Sequence, residues 1–231
     1  MARVIPPDRL ENLIECATRV FIERGYTRTQ MADIAEALGV AKGTVYLYVE
    51  SKEALFDLVA RAAAGDRSFL SHVTLPVRTP KSGSTLRYAR EQLARRQELP
   101  ILAAALAGRQ ADDAESELVA ILRELYKTLR DNRIAIKLLD RASADYPELA
   151  RLWFEGGRKV LHGRLTEYLS DRIRRKAFRA VPNVEVAARL VLESVVFWAV
   201  HRHWDPHPET ADEQVVEDSV IEFIKQSLVR K

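Results

Sequence analysis

The stretch Gly25-Tyr-Thr-Arg-Thr-Gln-Met-Ala-Asp-Ile-Ala-Glu-Ala-Leu-Gly-Val-Ala-Lys-Gly-Thr-Val-Tyr-Leu-Tyr-Val-Glu-Ser-Lys-Glu-Ala-Leu55 decides how this chain folds. Met31, Ile34, Ala35 and Leu38 recur at the spacing of one buried helix face. Gly39 follows at once, where a helix ends in the left-handed conformation that glycine adopts without a Cβ clash. Val40 and Val45 then pin a second short helix, from about Ala41 to Tyr48, against the first. That packing directs Lys42, Gly43, Thr44, Tyr46 and Tyr48 outward. Thr29 stands where a hydroxyl caps the first helix, and Ser51 where one caps the next. Lys52 sits in a first turn rich in orphan amides, an arrangement suited to a phosphate. Two short helices joined by a tight turn, the second bearing small polar, basic and phenolic groups, have the form that enters a DNA major groove. An amphipathic helix pair around a glycine also occurs in any all-α protein; the outward tyrosines and lysines single out DNA.

Residues 39 to 56, Gly-Val-Ala-Lys-Gly-Thr-Val-Tyr-Leu-Tyr-Val-Glu-Ser-Lys-Glu-Ala-Leu-Phe, resemble the DNA-binding signature of the TetR family of bacterial transcriptional regulators (TetR/AcrR-like). The resemblance runs from about Arg9 to Leu58. It implies that Lys42, Gly43 and Thr44 approach base edges while Thr29, Tyr46 and Lys52 hold phosphates, with Gln30 and Tyr48 in the same interface. This chain departs from the family's habit at Ala41, often Ser, at Tyr48, often His, and at Gln30, often Thr. The operator sequence therefore does not carry over from relatives.

The chain has 231 residues and a formal net charge of +3, and 47% of its residues are hydrophobic, ample for a packed core. The basic excess is not in the helix-turn-helix region, where Asp8, Glu11, Glu15, Glu23, Asp33, Glu36, Glu50 and Glu53 outweigh the lysines and arginines. Local geometry must therefore make the DNA face, with Arg3 and the amino terminus as an arm toward phosphate or the minor groove. No uninterrupted apolar run is long enough for a membrane helix, and Met-Ala-Arg-Val-Ile-Pro-Pro does not read as a signal peptide, so a cytoplasmic protein is expected. The single cysteine, Cys16, lies among Leu13, Ile14, Ala17 and Val20 and reads as a small buried apolar residue.

The remainder reads as helix, with no alternating strand pattern and no repeat. Leu10, Leu13, Ile14, Ala17, Val20 and Phe21 stripe a first helix that starts at Pro7 and ends at Gly25. A fourth helix is expected from Ser51 to about Val73, then a loop over 74–84 rich in proline and hydroxyls. Further helices are expected near 85–98, 100–110, 113–130, 132–144, 147–178, 184–204 and 210–229. The architecture is an all-α fold: a helix-turn-helix DNA-binding domain over 1–55 and a larger helical ligand-binding and dimerisation domain over 56–231. Residues 184–204 are apolar around most of the helix circumference, and 210–229 carry a narrower stripe of Val215, Val216, Val220, Phe223, Ile224 and Leu228. Paired with their copies they would form a four-helix interface, and the resemblance favours such a homodimer on a palindromic operator.

The resemblance places an inducer site within the second domain. Tyr126, Trp153, Phe154, His162, Trp198 and His201 are the candidate lining groups, though each reads first as plain core, and the ligand class they suggest is a small apolar molecule. His201, His203, Asp205 and His207 read as a helix terminus rather than a metal site, and the run Arg172, Arg174, Arg175, Lys176 and Arg179 as a solvated helix end. No metal and no cofactor is expected. No phosphate loop, helix-borne metalloprotease motif or nucleophile elbow is present, so an enzyme is not expected. The expected function is repression of transcription, released when the inducer binds. An architectural or protein-recruiting DNA binder is the alternative.

Overall fold

Pro7 opens α1 (Pro7–Arg24), whose stripe of Leu10, Leu13, Ile14, Ala17, Val20 and Phe21 is buried along its length. Around it follow α2 (Met31–Leu38), α3 (Lys42–Val45) and α4 (Lys52–Ala63). Beyond them come α5 (Ser84–Arg96), α6 (Pro100–Leu106), α7 (Ala114–Asp131), α8 (Arg133–Ser143), α9 (Pro147–Arg151), α10 (Lys159–Arg174), α11 (Val184–Ala199) and α12 (Glu213–Leu228). The computed structural model describes residues 7–96, 98–108, 113–208 and 210–230. Among them the chain is all-α, with two isolated bridges and no strand. The expected arm at Arg3 lies outside the described residues.

The chain divides into two units by packing: residues 1–92 with 134–153, and 93–133 with 154–231. In the first unit α1 packs against α2 and α4, and α2 against α3. Phe21, Tyr26 and Phe56 form its aromatic centre, with ring centroids 4.9–5.8 Å apart. In the second unit α7 is surrounded by α6, α11 and α12, and α10 packs on α6 and α11. Arg172 is buried there at 2% exposure, its guanidinium donating to both carboxylate oxygens of buried Glu117 at 2.7 and 3.0 Å. Tyr168 donates its hydroxyl to the same carboxylate at 3.1 Å, and burial, followed by the nearby Glu117 charge, raises the phenol well above its usual range. The expectation of a solvated cationic helix end is thus corrected at Arg172: one turn of α10 turns that guanidinium into the core. Arg174 and Arg175 lie at the helix end and pair with Asp171.

Several boundaries differ from the sequence expectations, each for a local reason. α4 stops at Ala63 rather than near Val73, because Gly65 turns the chain with φ of 80°. The long helix expected over 147–178 is interrupted by a π-helical stretch at Leu152–Arg158 that contains Gly156 and Gly157. α11 ends at Ala199, and a 3-10 turn, His201–Trp204, follows. The second helix of the helix-turn-helix covers only Lys42–Val45, after which the backbone turns through residues 46–48.

Candidate nucleic-acid interface

Gly25 ends α1 with φ of 81° and sends the chain into a short link to α2 in which Tyr26 and Thr29 are buried and Thr27 and Arg28 are exposed. Gln30 is the N-cap of α2: the Asp33 amide donates to its backbone carbonyl at 3.1 Å, while its own amide donates to the Asp33 carboxylate at 2.8 Å. Gly39 closes α2 at φ of 71°: its amide donates to Glu36 and the Val40 amide to Ala35, a Schellman end. Three residues later α3 begins, with Val45 fully buried against the reader's core. Lys42, Gly43 and Tyr46 are exposed, and Thr44 is half-exposed. A Cβ at Gly43 would meet nothing within 4 Å, so packing does not require a glycine there, and its bare backbone faces open space. From Ala37 to Val49 Lys42 is the one charged side chain.

Three residues expected to face DNA do not. Tyr48 is only 4% exposed. The helical projection that placed it outside fails because α3 ends at Val45, and the turn that follows rotates residue 48 inward. Thr29 is fully buried and does not cap α2; its hydroxyl donates to the Gly25 carbonyl at 2.6 Å and closes the link from α1. Lys52 is directed at its own chain. Its ammonium donates to the carbonyls of Thr29 at 2.9 Å and Tyr26 at 3.0 Å, and stands 4.4 Å above the Tyr26 ring. It clasps the α1–α2 link rather than standing free as a phosphate clamp. Ser51 does cap α4, accepting from the Ala54 amide at 3.1 Å.

The link is held from a second side by residues with no sequence signal. Arg141 donates to the carbonyls of Ile22 and Glu23 at 3.0 and 2.9 Å, capping the end of α1. The Asp145 carboxylate accepts from the Thr27 amide at 2.8 Å, and the Tyr146 ring lies 5.2 Å from that of Tyr26. Tyr26 donates its hydroxyl to Glu53 at 3.1 Å, and burial raises its phenol far above the usual range. Many of the local acids are tied down. Asp33 pairs with Arg24 at 2.7 Å, Asp57 with Arg61 at 2.8 Å, and Glu11 with Arg67 at 3.5 Å.

The family profile described as "Bacterial regulatory proteins, tetR family" matches residues 13–59, the segment that forms α1 to α4. That segment is a DNA-binding segment of the TetR type. Among curated TetR-type relatives, the repressor KstR2 of Rhodococcus jostii is 36% identical over 58 residues, 25% of this chain and 28% of that protein. The regulator TtgR of Pseudomonas putida is 46% identical over 43 residues, 19% of this chain and 20% of that protein. These alignments therefore span under a third of the relatives' own length. The ketosteroid regulator KstR2 of Mycobacterium tuberculosis shares the fold over 96% of both chains, at 16% identity and a TM-score of 0.56. A TetR-family regulator from Streptomyces coelicolor does so over 95% of this chain and 91% of its own, at 22% identity and a TM-score of 0.56. The TetR fold thus extends through the second unit, where sequence signal is weak.

The residues expected to line an inducer site in this chain are not all brought together. Trp153 belongs to the first unit, buried, its indole N–H donating to Asp140 at 3.2 Å. Phe154 is 48% exposed. His162 donates from Nε2 to the Glu185 carbonyl at 2.8 Å. Tyr126 is fully buried and donates to Glu213 at 2.8 Å, with the Trp198 carbonyl at 3.4 Å. Trp198 and His201 are half-buried. Arg202 donates to the same Glu213 at 2.9 Å and Arg133 lies 3.3 Å away, so charge collects around one carboxylate between α7 and α12. His203 faces Arg133 and lies 3.5 Å from Glu213. Burial first, then the charges of Arg133 and Arg202, lower the His203 imidazole below its usual value. No helix among the described residues is long and apolar enough to cross a membrane.

Proposed function

We propose that this chain is a homodimeric transcriptional repressor that binds a palindromic operator and leaves it when a small apolar molecule enters the second unit. The observation that carries the DNA half is the surface of α3, where Lys42, Gly43 and Tyr46 are exposed and no acid intervenes between Glu36 and Glu50. Lys42 and Thr44 are the base-reading side chains, Gly43 admits close approach, and Gln30 and Tyr46 contact phosphate. Two such helices related by a two-fold axis would enter grooves about 34 Å apart.

Self-association is supported by apolar groups left in water on helices that are otherwise buried. Val186, Leu190 and Phe197 on α11 are 56%, 65% and 41% exposed, and Val215 and Phe223 on α12 are 57% and 75% exposed. A two-fold pairing of these helices covers them. The inducer site is assigned to the second unit around Tyr126, Trp198 and His201. Moving operator-competent chains from 99:1 to 1:99 requires the inducer to discriminate by roughly 5.5 kcal/mol between conformers.

Selection of genomic fragments on the purified protein, followed by footprinting at physiological salt, tests the proposal. Two protected half-sites about one helical turn apart are expected. Lys42→Ala or Thr44→Ala should shift base preference at one position per half-site by about 1–3 kcal/mol. Recovery of fragments no better than random DNA would remove the operator from the reading.

A further inference from the structure

A DNA reader gains from positive charge, yet from Arg9 to Leu58 this chain has six basic and eight acidic side chains. The stretch that follows is of opposite character. From Arg67 to Arg90 it carries Arg67, Arg78, Lys81, Arg87 and Arg90 and no Asp or Glu. The structure fastens the middle of that stretch onto the reader. The Val77 amide donates to the Tyr48 carbonyl at 2.8 Å, and the Glu50 amide donates to the Val77 carbonyl at 2.9 Å, a parallel bridge between Val49 and Val77. Two residues on, the Thr79 amide donates to the Glu50 carboxylate at 3.0 Å, and its hydroxyl lies 2.8 Å from the Ser51 hydroxyl.

Arg78 stands between these two anchored residues and is exposed. Val77 is paired with fully buried Val49 and is itself partly covered, so the alternation of an extended backbone sends the next side chain to the opposite side. The same contacts engage Glu50, the acid nearest the end of α3, through the Thr79 amide. We infer that residues 76–81 are a second DNA-contacting element, in which Arg78 holds a backbone phosphate flanking the groove entered by α3. This inference rests on the DNA-binding function proposed above. Phosphate is the partner because Arg78 is carried on a loop beside α3 rather than on it, within a stretch whose charge is uniformly positive. The loop thereby supplies charge that the helix-turn-helix lacks.

The test uses the full chain, a duplex recovered by the genomic selection and a scrambled duplex, titrated across roughly 50–300 mM KCl. Arg78→Ala should lower the slope of log K against log salt by about 1 on both duplexes, and weaken binding about eight-fold at 0.1 M salt. Arg78→Lys should restore the slope, and Lys159→Ala, exposed on α10, should leave it unchanged. Thermal melts of each variant confirm that the fold is retained. An Arg78→Ala protein with wild-type slope and wild-type hydroxyl-radical footprint overturns the loop contact and leaves the α3 reading intact. A loss confined to one base pair's preference overturns the phosphate assignment. Failure of the wild-type chain to prefer any recovered duplex over the scrambled one removes the DNA reading, and the loop contact with it.

Discussion

Lys52 separates two accounts of the same residue, because a phosphate clamp and an internal clasp respond differently to Lys52→Met. Methionine keeps most of the stem and removes the ammonium. In the structure that ammonium makes two hydrogen bonds at 2.9 and 3.0 Å to backbone carbonyls and covers one aromatic face. Charge-assisted bonds are worth roughly 1.5–3 kcal/mol each when buried, and an exposed cation–π contact roughly 0.5–1 kcal/mol. Lys52 is half-exposed, so water replaces part of this and about 2 kcal/mol is the expected loss. For a chain of this length that corresponds to a melting point lower by about 4–8 °C, with a lower urea midpoint and an unchanged m-value. The salt dependence of operator binding should keep its slope, since no phosphate loses a partner. A variant with wild-type stability and a slope smaller by about 1 would refute the clasp and restore the phosphate role.

The buried pair in the second unit gives an equally direct test. Glu117→Gln removes one of the two carboxylates that face the Arg172 guanidinium at 2% exposure, leaving Asp171 alone, and should cost up to about 3–5 kcal/mol, whereas Glu117→Leu with Arg172→Met should recover most of that loss in urea titrations. His203 has its folded-state pKa depressed, so the unfolded chain binds the proton more readily and stability falls as pH drops from about 6.5 through the folded value. Melting points measured across that window should decline in the wild type and flatten in His203→Gln. Glu213 is also depressed, since bonds and charges from Tyr126, Arg133 and Arg202 outweigh its burial, and its contribution is lost only below about 4.5. Leu190→Asp with Phe223→Asp places charge on the exposed apolar faces of α11 and α12 and should shift the sedimentation profile toward monomer while leaving helicity intact. Gly43→Ala should raise stability by up to about 1 kcal/mol, because the site has room and alanine favours helix, and yet weaken operator binding in a gel-shift titration.

What the sequence by itself determined was whatever local rules govern. The spacing of Met31, Ile34 and Ala35, the left-handed stop at Gly39 and the Ser51 cap are consequences of neighbours within four residues, and the structure has all of them. The helix-turn-helix, the all-α class and the TetR-type character of the DNA-binding segment follow from those rules and from the residues between them. Tertiary structure decided which side chains of that motif remain available. Thr29, Tyr48 and Lys52 lie in the right stretch, but one turn beyond a four-residue helix moves Tyr48 into the core, and carbonyls at positions 26 and 29 engage Lys52. The clamp of Arg141 and Asp145 on the α1–α2 link joins residues 118 positions apart, and the 76–79 loop joins residues nearly 30 apart. Neither leaves a period in the sequence, because each is a handful of polar contacts made possible only once the helices have packed.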